Sequence, residues 1–459
     1  MSVVAAFIMP HPPVILPQIG CGEEKKIQKT IDACREVARR VTAIKPQTIV
    51  LTSPHSIMYA DYFHISPGMR AAGSFGQFRH PEVAMEVDYD TDFVRKLAAK
   101  AEKADLPAGT LGERDKTLDH GTMIPLSFIN EQYQDYELVR IGLSGLPPIF
   151  HYQLGKLIAE TADELGRNVV FIASGDLSHK LLLGGPYGFA AEGSVFDEQV
   201  TQAMDNGDFL QFLSFNENFC DAAAECGLRS FQIMAGAFDG KAVQSQLLSY
   251  QGTFGIGYGV AAFTAAGNDA SRHFDEIYQQ QYTPIYDMPK MDPYVRLAKY
   301  SLETYINTGK RATMPADLPK EMLNKKAGVF VSLKEYGQLR GCIGTIAPVT
   351  SSVAAEIMCN AVSAGCEDPR FDAVKSKELP LLVYSVDILD DPEDIDDSSQ
   401  LDVKRYGVIV SNGLKRGLLL PNIEGVDTVQ QQIDIARRKA GIDIDKPIHL
   451  QRFEVVRHK

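Results

Sequence analysis

The sequence predicts an α/β N-terminal domain with a layered sheet over residues 1–266, a linker over 267–290, and an α+β domain over 291–459. Three observations carry this. Short apolar or β-branched runs alternate with amphipathic helical stretches in the first part. A polar, Gln- and Pro-containing stretch then interrupts the pattern. At 459 residues, the chain also exceeds the roughly 100–200 residues of an ordinary domain.

Taken in order, Val3–Met9, Thr48–Thr52, Glu137–Leu143 and Asn168–Ala173 read as buried strands bounded by Pro or Gly. Between the first two, Glu23 to Ile44 keeps Ile27, Ile31, Cys34, Val37 and Val41 on one helical face, with Pro46 beyond its end. Leu154 to Leu165 reads as another helix, stopped by Gly166. Gly255, Gly257 and Gly259 form a GxGxG run, but Val260 to Thr264 continues as an apolar strand. A dinucleotide site needs a helix there, so the glycines read as close packing. The polar stretch holds Gln279–Gln281, Pro284, Pro289 and Pro293, with a short helix expected near His273 to Gln280. After it come a helix at Tyr294–Asn307, a hairpin at Tyr406–Pro421 turning at Asn412-Gly413, a helix at Val426–Ala440 and a last strand at Gln451–Val456. Leu339 to Thr345, with Gly341 and Gly344, reads as a tight turn, either for packing or for holding an anion on its amides. Cys342 and Cys366 have no base nearby in sequence and read as buried thiols. Asp387 to Asp402 holds eight acidic residues but no glycine, so it reads as a solvated loop and not a calcium loop.

Composition excludes several classes. Lys and Arg total 46 against 59 Asp and Glu, a formal charge of −13, which disfavours general nucleic-acid binding. No apolar run is long enough to span a membrane. Seven scattered cysteines without a C-x-x-C pair suit a reducing compartment, and the expected location is cytoplasmic.

Histidine placement points to the chemistry. Three predicted strands lead within a few residues to His11, His55, and Asp176 with His179, and a fourth histidine lies in Asp119-His120-Gly121. Ligands of open α/β sheets bind beyond the carboxyl ends of the strands, so these side chains are expected to share a metal or acid/base site. Imidazole suits several transition metals, and a carboxylate or a thiolate as third ligand would decide among them. Asp176 could fix the tautomer of His179, or cap a helix.

His11-Pro12-Pro13, Ser53-Pro54-His55, Asp119-His120-Gly121-Thr122 with Pro125-Leu126, and Gly175-Asp176-Leu177-Ser178-His179 together resemble the LigB-type class III extradiol dioxygenases, whose fold the Memo proteins share. The resemblance implies an iron site with His11, His55 and a downstream Glu as ligands, His179 as acid/base, and His120 as proton donor or substrate contact. Glu225 falls where that carboxylate belongs. Cys226 falls where Memo proteins carry a cysteine. Glu225 is the preferred ligand and Fe(II) the expected metal; Cys226 as ligand would turn the site toward Zn or Cu. The implied activity is ring cleavage of a catechol-like, aminophenol-like or other chelating substrate by O₂. The alternative is a non-catalytic, metal-binding adaptor.

Leu339-Arg340-Gly341-Cys342-Ile343-Gly344-Thr345, with Glu367 to Phe371 and Arg416 to Pro421, resembles the AMMECR domain. Fusion of the two domains is similar to one component of AmmeMemoRadiSam systems. That implies a radical-SAM partner protein, since this chain has no C-x3-C-x2-C cluster of its own. Homo-oligomerisation is left open.

Overall fold

The computed structural model describes residues 3–282, 284, 290–423, 425–443 and 445–459. It divides into two compact units, residues 1–278 and 279–459.

In the first unit, along the chain, β1 is Val3–Met9, α1 Gln28–Ile44, β2 Thr48–Ser53, α2 His120–Asn130, β3 Glu137–Gly142, α3 Pro148–Leu165 and β4 Val169–Ser174. They are followed by α4 Ala191–Asn206, α5 Leu228–Gly236, β5 Lys241–Gln251 and β6 Tyr258–Asn268. The sheet runs β3-β2-β4-β1-β6-β5. Its first four strands are parallel, and β6 and β5 complete it antiparallel. Every residue of β2 and β4 is buried, because helices cover both faces of the parallel part. Phe7, Leu51 and Ile172 face a core shared with Cys34, Val37 and Val41 of α1 and Met123 of α2. Their neighbours Ile8, Val50 and Phe171 are equally buried. Met9 pairs with Ser174, and Thr52 with Ala173, so β1, β4 and β2 end at one level. The segments after all three strands therefore emerge side by side.

The polar stretch begins inside this unit. Ala270–Arg272 is a single helical turn and Phe274–Tyr282 a helix; His273 Nδ1 lies 2.9 Å from Asp239 Oδ2, and Lys156 Nζ 2.7 Å from Asp275 Oδ2. Residues 283 and 285–289, with Pro289, lie outside the described residues.

The second unit has α6 Pro293–Thr308, β7 Val329–Glu335, β8 Gln338–Gly344, α7 Val353–Cys366, β9 Leu382–Leu389, β10 Glu393–Ile395 and β11 Gly407–Asn412. It ends with β12 Lys415–Leu419, α8 Val429–Lys439, β13 His449–Phe453 and β14 Val455–His458. Two four-stranded sheets result, β8-β7-β9-β14 and β10-β13-β11-β12. The hairpin forms, with Asn412 paired to Lys415 and Gly413 at φ 57°. Three expectations are corrected. The last strand is two, broken at Glu454, because its halves join different sheets. Leu339 to Gly344 is strand β8 and not a turn, and the Cys342 N–H is already taken by Asp368 Oδ2 at 2.9 Å. The acidic run is not all solvated: Asp387 is buried in β9 and accepts two hydrogen bonds from Arg457, at 2.7 and 2.9 Å.

Candidate metal centre

Beyond the ends of β1 and β2, His11 Nε2 and His55 Nε2 lie 3.0 Å apart, and Cys226 Sγ lies 3.7 Å from His11 Nε2. One donor atom from each of the three residues lies within 4.8 Å of the other two. An ion with Zn–N of about 2.0–2.1 Å and Zn–S of about 2.3 Å would separate tetrahedral ligand atoms by roughly 3.3–3.6 Å, so the trio needs only small adjustments to share one ion.

The surrounding hydrogen bonds set the protonation of this trio. Ser174 Oγ donates its single proton to Gly121 O at 2.6 Å. It must therefore accept from His11 Nδ1–H, 2.9 Å away, which leaves Nε2 with a free lone pair aimed at His55 and Cys226. Burial, with His55 nearby, holds the His11 pKa well below its ordinary value, so the ring is neutral, as a ligand must be. The Asp176 backbone N–H donates to Cys226 Sγ at 3.4 Å, a contact that favours thiolate. Burial raises the Cys226 pKa, with Asp176 and Glu225 adding to the rise, so a cation is what would stabilise the ionised sulfur there.

Two close backbone approaches build this geometry. A β-carbon on Gly175 would overlap Gly227 Cα, so the turn after β4 and the segment before α5 touch through bare backbone, and Cys226 reaches the strand ends. A β-carbon on Gly121 would come within 2.5 Å of Ser53 Oγ and 3.3 Å of His55 Cδ2. Ser53 in turn accepts from the His55 N–H at 3.2 Å and donates to Asp119 Oδ1 at 2.5 Å. Asp119 also caps α2, its Oδ1 accepting from the Thr122 N–H at 2.9 Å.

His120, the first residue of α2, stacks toward His55 with ring centroids 4.0 Å apart and lies 5.6 Å from the His11 ring. Burial, helped by His55 and His11, lowers its pKa to about 3, so it is a neutral imidazole. His179 is half-buried against the Tyr187 ring, and its buried Nδ1 has no hydrogen-bond partner among the described residues. A cavity of about 480 Å³ opens beside the centre, lined by His55, His120, Gln77, Ser74, Asp115 and Arg140, among others.

Two expectations give way here. Glu225 is not in the metal-ligand group: its carboxylate accepts from the Leu228 N–H at 2.7 Å, at the start of α5, and Cys226 takes its place beside the histidines. Asp176 does not orient His179: its Oδ1 accepts from the His11 backbone N–H at 2.8 Å, and His179 Nδ1 stays unpartnered. Sequence reading missed Ser174, visible only as the residue before Gly175-Asp176. It missed Arg140, hidden inside a strand. It also missed the second use of the GxGxG run, where Gly257 exchanges backbone hydrogen bonds with Leu177 and Ser178, at 2.8 Å each, and holds the segment leading to His179.

The fold and the centre define an α/β protein with a histidine–cysteine group of metal-ligand chemistry at its strand ends. Residues 5–261 match the family model described as the catalytic LigB subunit of aromatic ring-opening dioxygenase, and residues 295–458 match the AMMECR1 model. The chain belongs to the LigB family and carries an AMMECR1 domain fused behind it. A Clostridium acetobutylicum protein, CA_C1420, is 41% identical over the full length of both chains. A Thermotoga maritima protein is 48% identical over 36% of this chain and 97% of its own. Among solved structures, the uncharacterized protein PH0010 from Pyrococcus horikoshii aligns over 36% of this chain and 88% of its own, at 33% identity and a TM-score of 0.34. Among the described residues no helix is long and apolar enough to cross a membrane.

Proposed function

We propose that the N-terminal domain binds one late transition-metal ion through His11 Nε2, His55 Nε2 and Cys226 Sγ, and uses it to hold a small chelating substrate. The observation that carries this is Cys226 Sγ, and not a Glu225 oxygen, 3.7 Å from His11 Nε2. Two imidazoles and a thiolate favour Zn or Cu(I) over the Fe(II) of a two-histidine, one-carboxylate site. An ion so held would polarise a bound oxygen and lower the pKa of a hydroxyl attached to it. His179, with its unpartnered Nδ1, would take and return that proton, and His120, kept neutral, would donate a hydrogen bond or contact the substrate. Membership of the LigB family supports the second reading, Fe(II)- and O₂-dependent cleavage of a catechol- or aminophenol-like ring. The fused AMMECR1 domain supports a place in an AmmeMemoRadiSam system beside a radical-SAM protein.

Elemental analysis of protein purified without oxygen, combined with oxygen uptake, tests the choice. Zn or Cu at one per chain, lost in Cys226→Ser and kept in Glu225→Gln, is the expected outcome. Iron that survives Cys226→Ser, with oxygen consumed on adding a catechol, would establish the dioxygenase instead.

A further inference from the structure

A second cavity of the first unit, of about 370 Å³, shares no lining residue with the one beside the metal centre. It is lined by Tyr59, Asp61, Tyr62 and Leu111 to Arg114. Two short parallel strands, Phe63–His64 and Ala108–Gly109, bring these segments together. Hydrogen bonds hold the walls. Tyr59 donates its hydroxyl proton to Gly112 O, and Tyr59 O accepts from the Gly145 N–H at 2.9 Å. The Leu111 N–H donates to Tyr62 Oη at 3.5 Å, and Leu111 O lies 2.9 Å from His64 Nδ1.

The charged groups on this cavity are unmatched. The Glu113 side chain is only 13% exposed, yet it accepts no hydrogen bond among the described residues, and its one ion pair there is a loose contact with Lys116 Nζ at 3.8 Å. Asp61 is exposed and has no ion pair or hydrogen bond among the described residues. Arg114 has none either; its guanidinium carbon lies over the Tyr59 ring, 5.2 Å from the centroid. The Tyr59 and Tyr62 rings stand 6.3 Å apart, edge to face at 69°. A carboxylate withdrawn from water without a hydrogen bond is costly unless a cation comes to it, and a tyrosine face attracts the same kind of group. Arg114 shows that the Tyr59 face takes a guanidinium.

We infer that this cavity binds a guanidinium or alkylammonium group from outside the chain, and that Arg114 covers the ring face until that ligand arrives. Two carboxylates against one guanidinium make the lining favour a cation. Leu111, 75% exposed, offers apolar surface to the alkyl stem. Free alkylguanidines and the arginine side chain of another protein both carry this chemistry. Nothing in the site requires the strand-end metal.

The test titrates the full chain at low ionic strength with n-butylguanidine and with n-butylurea, its neutral isostere, followed by ligand-observed NMR. The cation should bind about 10-fold tighter. Glu113→Gln should remove most of that preference. Arg114→Ala should tighten cation binding about 2- to 5-fold, because it frees the ring face and removes a like charge. An acetyl-Gly-Arg-Gly-amide peptide separates the sources: binding at least as tight as n-butylguanidine assigns the site to a protein side chain, and loss of binding assigns it to a free cation. Equal affinities of wild type for cation and urea overturn the site whether or not a variant folds. Failure of both to bind, or weaker cation binding in folded Arg114→Ala, overturns it as well.

Discussion

The proton on His11 is placed by a serine on the neighbouring strand. Because Ser174 has one proton and gives it to Gly121 O, it fixes the His11 tautomer. Ser174→Ala is therefore expected to weaken metal binding about 10- to 100-fold without unfolding the domain, measured by chelator competition alongside circular dichroism. His11→Ala and His55→Ala should each remove most of the metal, while His179→Ala should keep it, since His179 is outside the group of donors. Equal metal content in all three variants would end this assignment.

At the scale of elements, the centre depends on loops that pass each other without side chains between them. Gly175→Ala must push the Gly227 segment away and carry Cys226 with it. Loss of metal with both histidines intact is the expected result, read by elemental analysis; full occupancy would show that the loop can yield. In the second unit, a charged pair within the turn after α7 is tied to β8 through Cys342, whose N–H donates to Asp368 Oδ2 at 2.9 Å and whose carbonyl accepts from Arg370 Nη2 at 3.2 Å. Arg370 donates to Asp368 from Nε at 2.9 Å and Nη2 at 2.7 Å, and this pairing lowers the Asp368 pKa from its ordinary 3.8 to about 2. The carboxyl is depressed in the folded state, so its contribution is full above about pH 4 and is lost as pH falls toward 2. Arg370→Met should move the acid-unfolding midpoint of the second unit, followed in the full chain, to higher pH, and an unchanged midpoint would contradict the pairing.

For the whole molecule, the division falls between Tyr278 and Gln279, within the helix Phe274–Tyr282, whose start His273 and Asp275 attach to the first unit. Limited proteolysis is expected to cut first between Tyr278 and Pro293 and to release two folded fragments, the larger one retaining the metal. Early cutting inside either unit would contradict this.

The sequence by itself determined the two-domain order, the alternating architecture of the first domain, and the position of His11, His55, Asp176 and His179 beyond strand ends. Periodicity and turn residues are local, and parallel strands bring their carboxyl ends to one edge. Tertiary structure alone decided the rest. Glu225 and Cys226 are adjacent in sequence, and the motifs favour Glu225 as ligand with Cys226 as the alternative; the start of α5 takes the carboxylate for a backbone N–H and leaves the thiol facing the histidines. Ser174, Arg140 and the Gly175–Gly227 contact were illegible for the same reason. Each acts through an atom brought close by sheet register or by loops far apart in the chain, and no spacing along the sequence records that distance.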